Sequence, residues 1–223
     1  DLLTTAALCT DAQIIQRENR YHVRGDPTEG ALLVAAVKAG LRKMELEISM
    51  PRVEEIPFSS ERKRMTTLHR KSGSLLACSK GAPETVLATC TRIMTREGER
   101  PLDASLRGGL LEEAKEMAGR ALRVLAIARR SEATLETAEH EMTFLGLTGM
   151  LDAPRPEAQA AIRTCYEAGI RPVMITGDHP LTARAVAKEL GLLHAAEILS
   201  GADLATLSDA ELERRIVTLD VVA

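Results

Sequence analysis

At 223 residues the chain holds one large domain or two small ones, each big enough to bury a core. Hydrophobic residues at 45% and charged residues at 27% exclude a disordered chain, and no apolar run reaches the roughly 18 to 20 residues that span a bilayer. A net charge of −3 with a pI near 6.0 argues against a nucleic-acid partner held by a diffuse basic surface and leaves small anionic ligands in a local basic pocket.

From Asp1 to about Met150, short apolar or alternating runs mix with helices: Leu2 to Cys9, Gly30 to Ala39, Met65 to Leu68, Leu75 to Ser79, Leu110 to Ala121 and Val124 to Ala128. This pattern predicts an α+β domain built largely on an antiparallel sheet with flanking helices. From about Leu145 the order becomes strand (LGLTGML), helix (PEAQAAIRTCYEAG), strand (RPVMI) and helix (LTARAVAKELG), with Gly169 and Gly191 as helix stops. That alternation predicts a parallel sheet, so the domains expected are 1–150 and 151–223, joined at the proline-stiffened DAPRP. The tail carries a helix begun by Ser208 with Glu211 at capping-box spacing, then an apolar strand at which the chain stops, as a cut chain would.

Cys9, Cys78, Cys90 and Cys165 form no Cys-x-x-Cys pair, and no secretory leader precedes them, so they read as reduced core or surface filler in a cytosolic setting. Aromatics are scarce: Tyr21, Phe58, Phe144 and Tyr166 only. Few side chains can therefore stack on a base, and Phe58 alone lies among cations, in PFSSERKRMT. Phe58 is equally read as core filler.

The segment GIRPVMITGDHPLTARAVAKEL has the layout of a phosphate site. Val173, Met174 and Ile175 suit a strand buried on both faces, Thr176, Gly177 and Asp178 follow it, and Pro180 opens a helix. An ordinary capped strand-to-helix turn fits as well. In LLACSKGAPETVL, Gly81 permits a tight turn and Lys80 stands just before a helix start at Pro83, a place that favours phosphate but also suits an exposed lysine. Lys63, with Arg62 and Arg64, makes a charge run of the kind that is usually a solvated face. Arg123 interrupts an apolar strand, where burial would demand a partner and an edge position would not. Glu29, in RGDPTEGALL, is placed either to accept from an adenine amino group or simply to complement a helix dipole.

Taken together, RGDPTEGALL, PFSSERKRMT, SKGAPE, ALRVLAIA, GMLDAPRPE and VMITGDHPLTARAVAKELG occur in the order and wording of the cytoplasmic part of the P-type cation-transporting ATPases, which the whole chain resembles, calcium-pump-like members above all. The resemblance implies an α+β nucleotide-binding domain, then a partial α/β phosphorylation segment of the haloacid-dehalogenase-like Rossmannoid fold. It implies ATP held by Phe58, Lys63, Lys80 and Arg123, with Glu29 near the adenine and Gly81 letting backbone approach the nucleotide. Thr176, Gly177 and Asp178 match the T-G-D motif that meets the transferred phosphoryl group, and Asp152 and Arg155 match the hinge motif D-P-P-R. Two departures stand out: Ala153 replaces the first hinge proline, and Ser60 stands where well-known calcium pumps carry an arginine near the phosphates.

The family's nucleophilic aspartate, in D-K-T-G-T, and its G-D-G-x-N-D magnesium motif have no counterpart here. In-line phosphoryl transfer needs both a nucleophile and a metal, so the chain is expected to bind ATP with Mg²⁺ but not to turn it over, its metal ligands lying elsewhere. The implied object is a cytoplasmic fragment of an integral membrane pump. Its partners would be the actuator, phosphorylation and transmembrane parts, with a dimer through exposed strand edges as a further expectation. The alternatives are a stand-alone haloacid-dehalogenase-like phosphatase, which needs an Asp-x-Asp pair absent here, and a non-catalytic interaction module.

Overall fold

The computed structural model describes residues 1–17, 20–120, 122–151, 155–177, 180–193 and 197–223. Chain contacts divide it into two compact units, one of Asp1–Ala114 and Val124–Met150, the other of Lys115–Arg123 and Leu151–Ala223.

The elements up to Met150 run α1 (Leu2–Leu8), β1 (Gln13–Arg17), β2 (Arg20–Arg24), α2 (Pro27–Lys38), α3 (Lys43–Ser49), β3 (Arg52–Ser59), β4 (Arg64–Lys71), β5 (Ser74–Gly81), α4 (Pro83–Thr89), β6 (Cys90–Thr95), β7 (Gly98–Pro101), α5 (Ala104–Gly119), β8 (Arg123–Arg130) and β9 (Met142–Met150). Among the described residues β1 and β2 form a hairpin, and the rest form a seven-stranded sheet in the order β3-β4-β5-β8-β9-β6-β7. β3, β4, β5 and β8 pair antiparallel in succession, as do β6 and β7, whereas β6 runs parallel to β9. The predicted, largely antiparallel α+β architecture is therefore present.

β4 and β5 pair without a break from Arg64↔Gly81 to Lys71↔Ser74. The two residues between them, Ser72 and Gly73, have φ of 50° and 87°, as a type I′ hairpin turn requires. Residues 65–69 of β4 and 76–81 of β5 are buried throughout, because both sheet faces are covered. On one face Met65, Leu76 and Cys78 pack with Leu8 and Cys9, and Ile127 packs with Ala6 and Leu32. On the other, Leu68, Ala77, Ala126 and Ala128 pack with Val86, Leu87 and Phe144. The period-2 alternation of each strand thus feeds two cores rather than one. Burying these apolar side chains stabilises the fold by about 1.5 to 3 kcal/mol each for the larger ones.

The second unit contains α6 (Ala158–Glu167), β10 (Met174–Ile175), α7 (Pro180–Leu190), β11 (Glu197–Leu199), α8 (Gly201–Thr206), α9 (Asp209–Arg215) and β12 (Leu219–Val222). Its three strands are parallel in the order β10-β12-β11. Ala183 and Ala187 of α7, with Leu192 and Val221, form its core, against which Ile162 and Met174 pack. Both predicted glycine stops take φ of 74°. Ile170 N donates to Cys165 O at 2.8 Å and Gly169 N to Tyr166 O at 3.0 Å, and Leu192 and Gly191 repeat the pattern on Ala187 and Lys188, so α6 and α7 both end in Schellman motifs. The capping box of Ser208 and Glu211 is present, and Ser200 with Asp203 forms a second.

Two expectations are corrected. LGLTGML does not open the parallel sheet; it is the end of β9, which starts earlier, at Met142, and pairs with β6 through Thr143 and Phe144. Val173–Ile175 is not a strand buried on both faces: β10 is short and stands at one end of its sheet, with Ile175 79% exposed. The tail strand β12 takes the protected middle position instead, its Asp220 paired to Arg171 at 2.9 Å.

Candidate functional site

Asp26 sets the first feature. Its side chain caps α2, accepting from Thr28 N at 2.8 Å and Glu29 N at 3.2 Å, with Pro27 in the first turn. Glu29 then points inward from that turn. One of its oxygens accepts from Asp11 N and Ala12 N, both at 2.8 Å, and the other from Lys80 Nζ at 2.5 Å. Lys80 also donates to Cys9 O and meets Met65 Sδ at 3.1 Å, so its donors all face protein. Lys80 is 7% exposed and Glu29 9%, which makes this a buried ion pair in which both charges are hydrogen-bonded. Lys43 fastens the same segment by donating to Thr10 O at 2.5 Å and Ala12 O at 3.3 Å. The reading of Lys80 as an exposed lysine on a turn is corrected: β5 runs through Gly81 and carries Lys80 inside.

Gly81 stands opposite Arg64. A Cβ there would lie 2.4 Å from Lys63 O and 2.5 Å from Arg64 Cβ, so the glycine admits the start of β4. Ala82 N donates to that same Lys63 carbonyl at 2.9 Å.

The end of β3 and the turn that leads into β4 hold the exposed candidates, Phe58 in the strand and Lys63 in the turn. Phe58 is 61% exposed, a large aromatic displayed rather than packed, which corrects its reading as core filler. Pairing slips between Ile56 and Ser59, and the turn closes with Lys63 N donating to Ser59 O at 2.8 Å. Lys63 is exposed and left-handed, with φ of 50°. Its neighbours are not solvated cations. Arg62 Nη1 lies 2.8 Å from one Glu139 oxygen, and Arg64 contacts the other through Nε at 2.9 Å and Nη2 at 2.7 Å. Thr66 donates to Glu139 at 2.9 Å. Burial would raise the Glu139 carboxyl, but hydrogen bonds from Arg64 and Thr66 and the charge of Arg64 outweigh it and hold it below its ordinary value. Sequence reasoning missed Glu139; the only local signal was that Arg64 and Thr66, at the head of a buried strand, need an acceptor.

Arg123, the first residue of β8, is exposed and belongs to the second unit. There Thr176 follows β10 at its carboxyl end, its N–H donating to Val222 O at 3.0 Å, and Gly177 is exposed. Arg155 is exposed, and its carbonyl accepts from Ala158 N at 2.9 Å. Asp178 and Asp152 lie outside the described residues. Cys9, Cys78 and Cys90 are buried and Cys165 half-buried, all free, and burial pushes the thiols of Cys9 and Cys78 up and that of Cys90 up to about 11. Among the described residues no group of three or more His, Cys, Asp or Glu side chains is placed to hold a metal, and no helix is long and apolar enough to cross a membrane.

The first unit is thus an α+β domain with a mostly antiparallel sheet and flanking helices, a lysine buried near the end of β5 and an aromatic exposed near the end of β3. Residues 1–157 match the family model of the P-type ATPase cytoplasmic domain N, and the chain belongs to the P-type ATPase family. It is 41% identical over 227 residues to calcium-transporting ATPase 1 of Bacillus cereus, covering 100% of this chain and 25% of that protein. It is 40% identical to the calcium-transporting ATPase of Bacillus subtilis, covering 100% of the chain and 26% of that protein, and 40% identical to a cation-transporting ATPase of Synechocystis, covering 95% and 24%. The chain therefore spans about a quarter of the length of these relatives.

Proposed function

We propose that this chain is the nucleotide-binding part, with a partial haloacid-dehalogenase-like phosphorylation segment, of an ATP-driven cation pump. The observation that carries the reading is the exposed Phe58 ring near the end of β3, with the exposed Lys63 in the turn that follows. An aromatic platform with an adjacent cation fits a nucleotide: the ring stacks on the base and the ammonium addresses phosphate. Glu29 and Lys80 are a buried ion pair of the same domain, and a bound nucleotide that recruits Lys80 must share it with Glu29. Gly81 and Arg123 carry over by motif.

In the second unit, Thr176 and Gly177 follow a parallel strand and precede α7, the arrangement in which strand end and helix start both favour phosphate. With Asp178, Asp152 and Arg155 they are assigned to the phosphoryl end. Bound Mg²⁺-ATP would supply the transferable γ-phosphoryl group, and the receiving aspartate is proposed to lie in the remainder of the pump. Calcium is the proposed ion, since the two Bacillus relatives are named calcium-transporting. The chain is placed on the cytoplasmic side of a membrane protein, with the actuator, phosphorylation and transmembrane parts as partners. Exposed Ile175 on β10 makes that strand the expected route for self-association of the isolated chain.

The test is an ATP titration of the chain by calorimetry, with and without Mg²⁺ and with phosphate release followed in parallel. Saturable binding without turnover supports the reading. A folded chain that does not bind ATP sinks it and favours an interaction module.

A further inference from the structure

We propose that Glu139 is a positioning residue for nucleotide binding: it acts through Arg62 to fix the end of β3 and the turn after it, which display Phe58 and Lys63. The inference rests on the nucleotide reading above.

Glu139 comes from the segment between β8 and β9 and reaches 77 residues back to Arg62, 75 to Arg64 and 73 to Thr66. Its side chain is only 11% exposed, so the contacts are shielded from water and salt. Both oxygens are occupied, one by Arg62 and Thr66 and the other by Arg64. Arg62 is the link. The guanidinium that Glu139 holds through Nη1 donates through Nη2 to the Pro57 carbonyl, immediately before Phe58. Arg62 N donates at 3.2 Å to the hydroxyl of Ser59, immediately after Phe58. Phe58 is thus bracketed on both sides by a residue that Glu139 restrains. The register with β4 shifts between Ile56 and Ser59, on either side of Phe58.

Preorganising the ring lowers the ordering cost of binding. The pairing also commits two of the three cations of the run to protein, leaving Lys63 exposed for the ligand.

Glu139→Gln keeps the size and loses the charge. Its affinities for ATP and for adenosine are expected to fall alike, by about 3- to 10-fold, since the ring addresses the base, and the loss should vanish in a Phe58→Ala background. Arg62→Ala, which cuts the same link from its more exposed end, should give the same Phe58-dependent loss and serves if Glu139→Gln does not fold. A purely structural role would move the unfolding midpoint without this coupling. Unchanged affinity in the folded variants, or a full loss on top of Phe58→Ala, overturns the proposal alone. Failure of the wild-type chain to bind ATP removes the nucleotide reading and this proposal with it.

Discussion

Lys80 and Glu29, 51 residues apart, meet at 2.5 Å inside the first unit, where Lys80 also donates to Cys9 O and meets Met65 Sδ while Glu29 accepts from Asp11 N and Ala12 N. Breaking such a pair from one side leaves a buried charge without a partner, at a cost of about 3 to 5 kcal/mol. Lys80→Met is therefore expected to lower unfolding stability by that amount in urea titrations. Adding Glu29→Gln should recover part of it, and fully additive losses would contradict the coupling. Weakened ATP binding by a Lys80 variant is meaningful only where folding is intact.

Phe58 separates binding from folding more cleanly. At 61% exposure its ring contributes little to the core, so Phe58→Ala should stay within about 0.5 kcal/mol of wild type in stability. Its ATP affinity should fall by about 1 to 3 kcal/mol if the ring stacks on adenine. Calorimetry beside a melting curve gives both numbers, and an unchanged affinity removes Phe58 from the site.

Gly81→Ala is expected to destabilise by about 1 to 3 kcal/mol, because the new methyl meets the Lys63 carbonyl, and backbone at the mouth of a paired strand yields poorly. Amide shifts should concentrate in residues 62–65. A variant as stable as wild type would show that the turn relaxes.

Acid sensitivity should begin at His69, which is fully buried. Nδ1 donates to Met50 O at 3.0 Å and Nε2 lies 2.9 Å from the Thr67 hydroxyl, so both ring nitrogens are engaged inside the protein. Burial lowers its affinity for a proton more than the Met50 carbonyl and Glu47 raise it, with Arg52 and Lys43 adding to the lowering. The unfolded chain then binds more protons below its ordinary value of 6.5, so the contribution is complete above 6.5 and is lost as pH falls through that value toward the folded one. Unfolding free energies measured from pH 7.5 to 5 should decline, and ring NMR should show His69 titrating below 6.5. A flat profile would contradict this.

Helix boundaries were legible wherever a local device sets them. Gly169 and Gly191 end their helices because only a left-handed residue completes a Schellman motif without a Cβ penalty, and Ser208 with Glu211 starts one by reciprocal capping. Alternation reports that LGLTGML is a strand, not which sheet it joins; it ends β9, whose Met142, Thr143 and Phe144 pair with β6, some 50 residues upstream. The exposed Phe58 and Lys63 could be named as candidates from composition, since few aromatics were available. Glu139 could not, because its meaning comes wholly from partners more than 70 residues away.

The sequence by itself determined the α+β character of the first unit, α6, α7 and α9 of the second, the P-type ATPase family and the short list of residues to inspect, because periodicity, caps and motif order are local properties. Tertiary structure decided what those residues do: Lys80 turned inward to Glu29, Gly81 yielding space to β4, Arg62 and Arg64 bound to Glu139, and β12 in the middle of its sheet. Each depends on which distant segment arrives beside a side chain, and a buried charge takes its role from the partner that arrives.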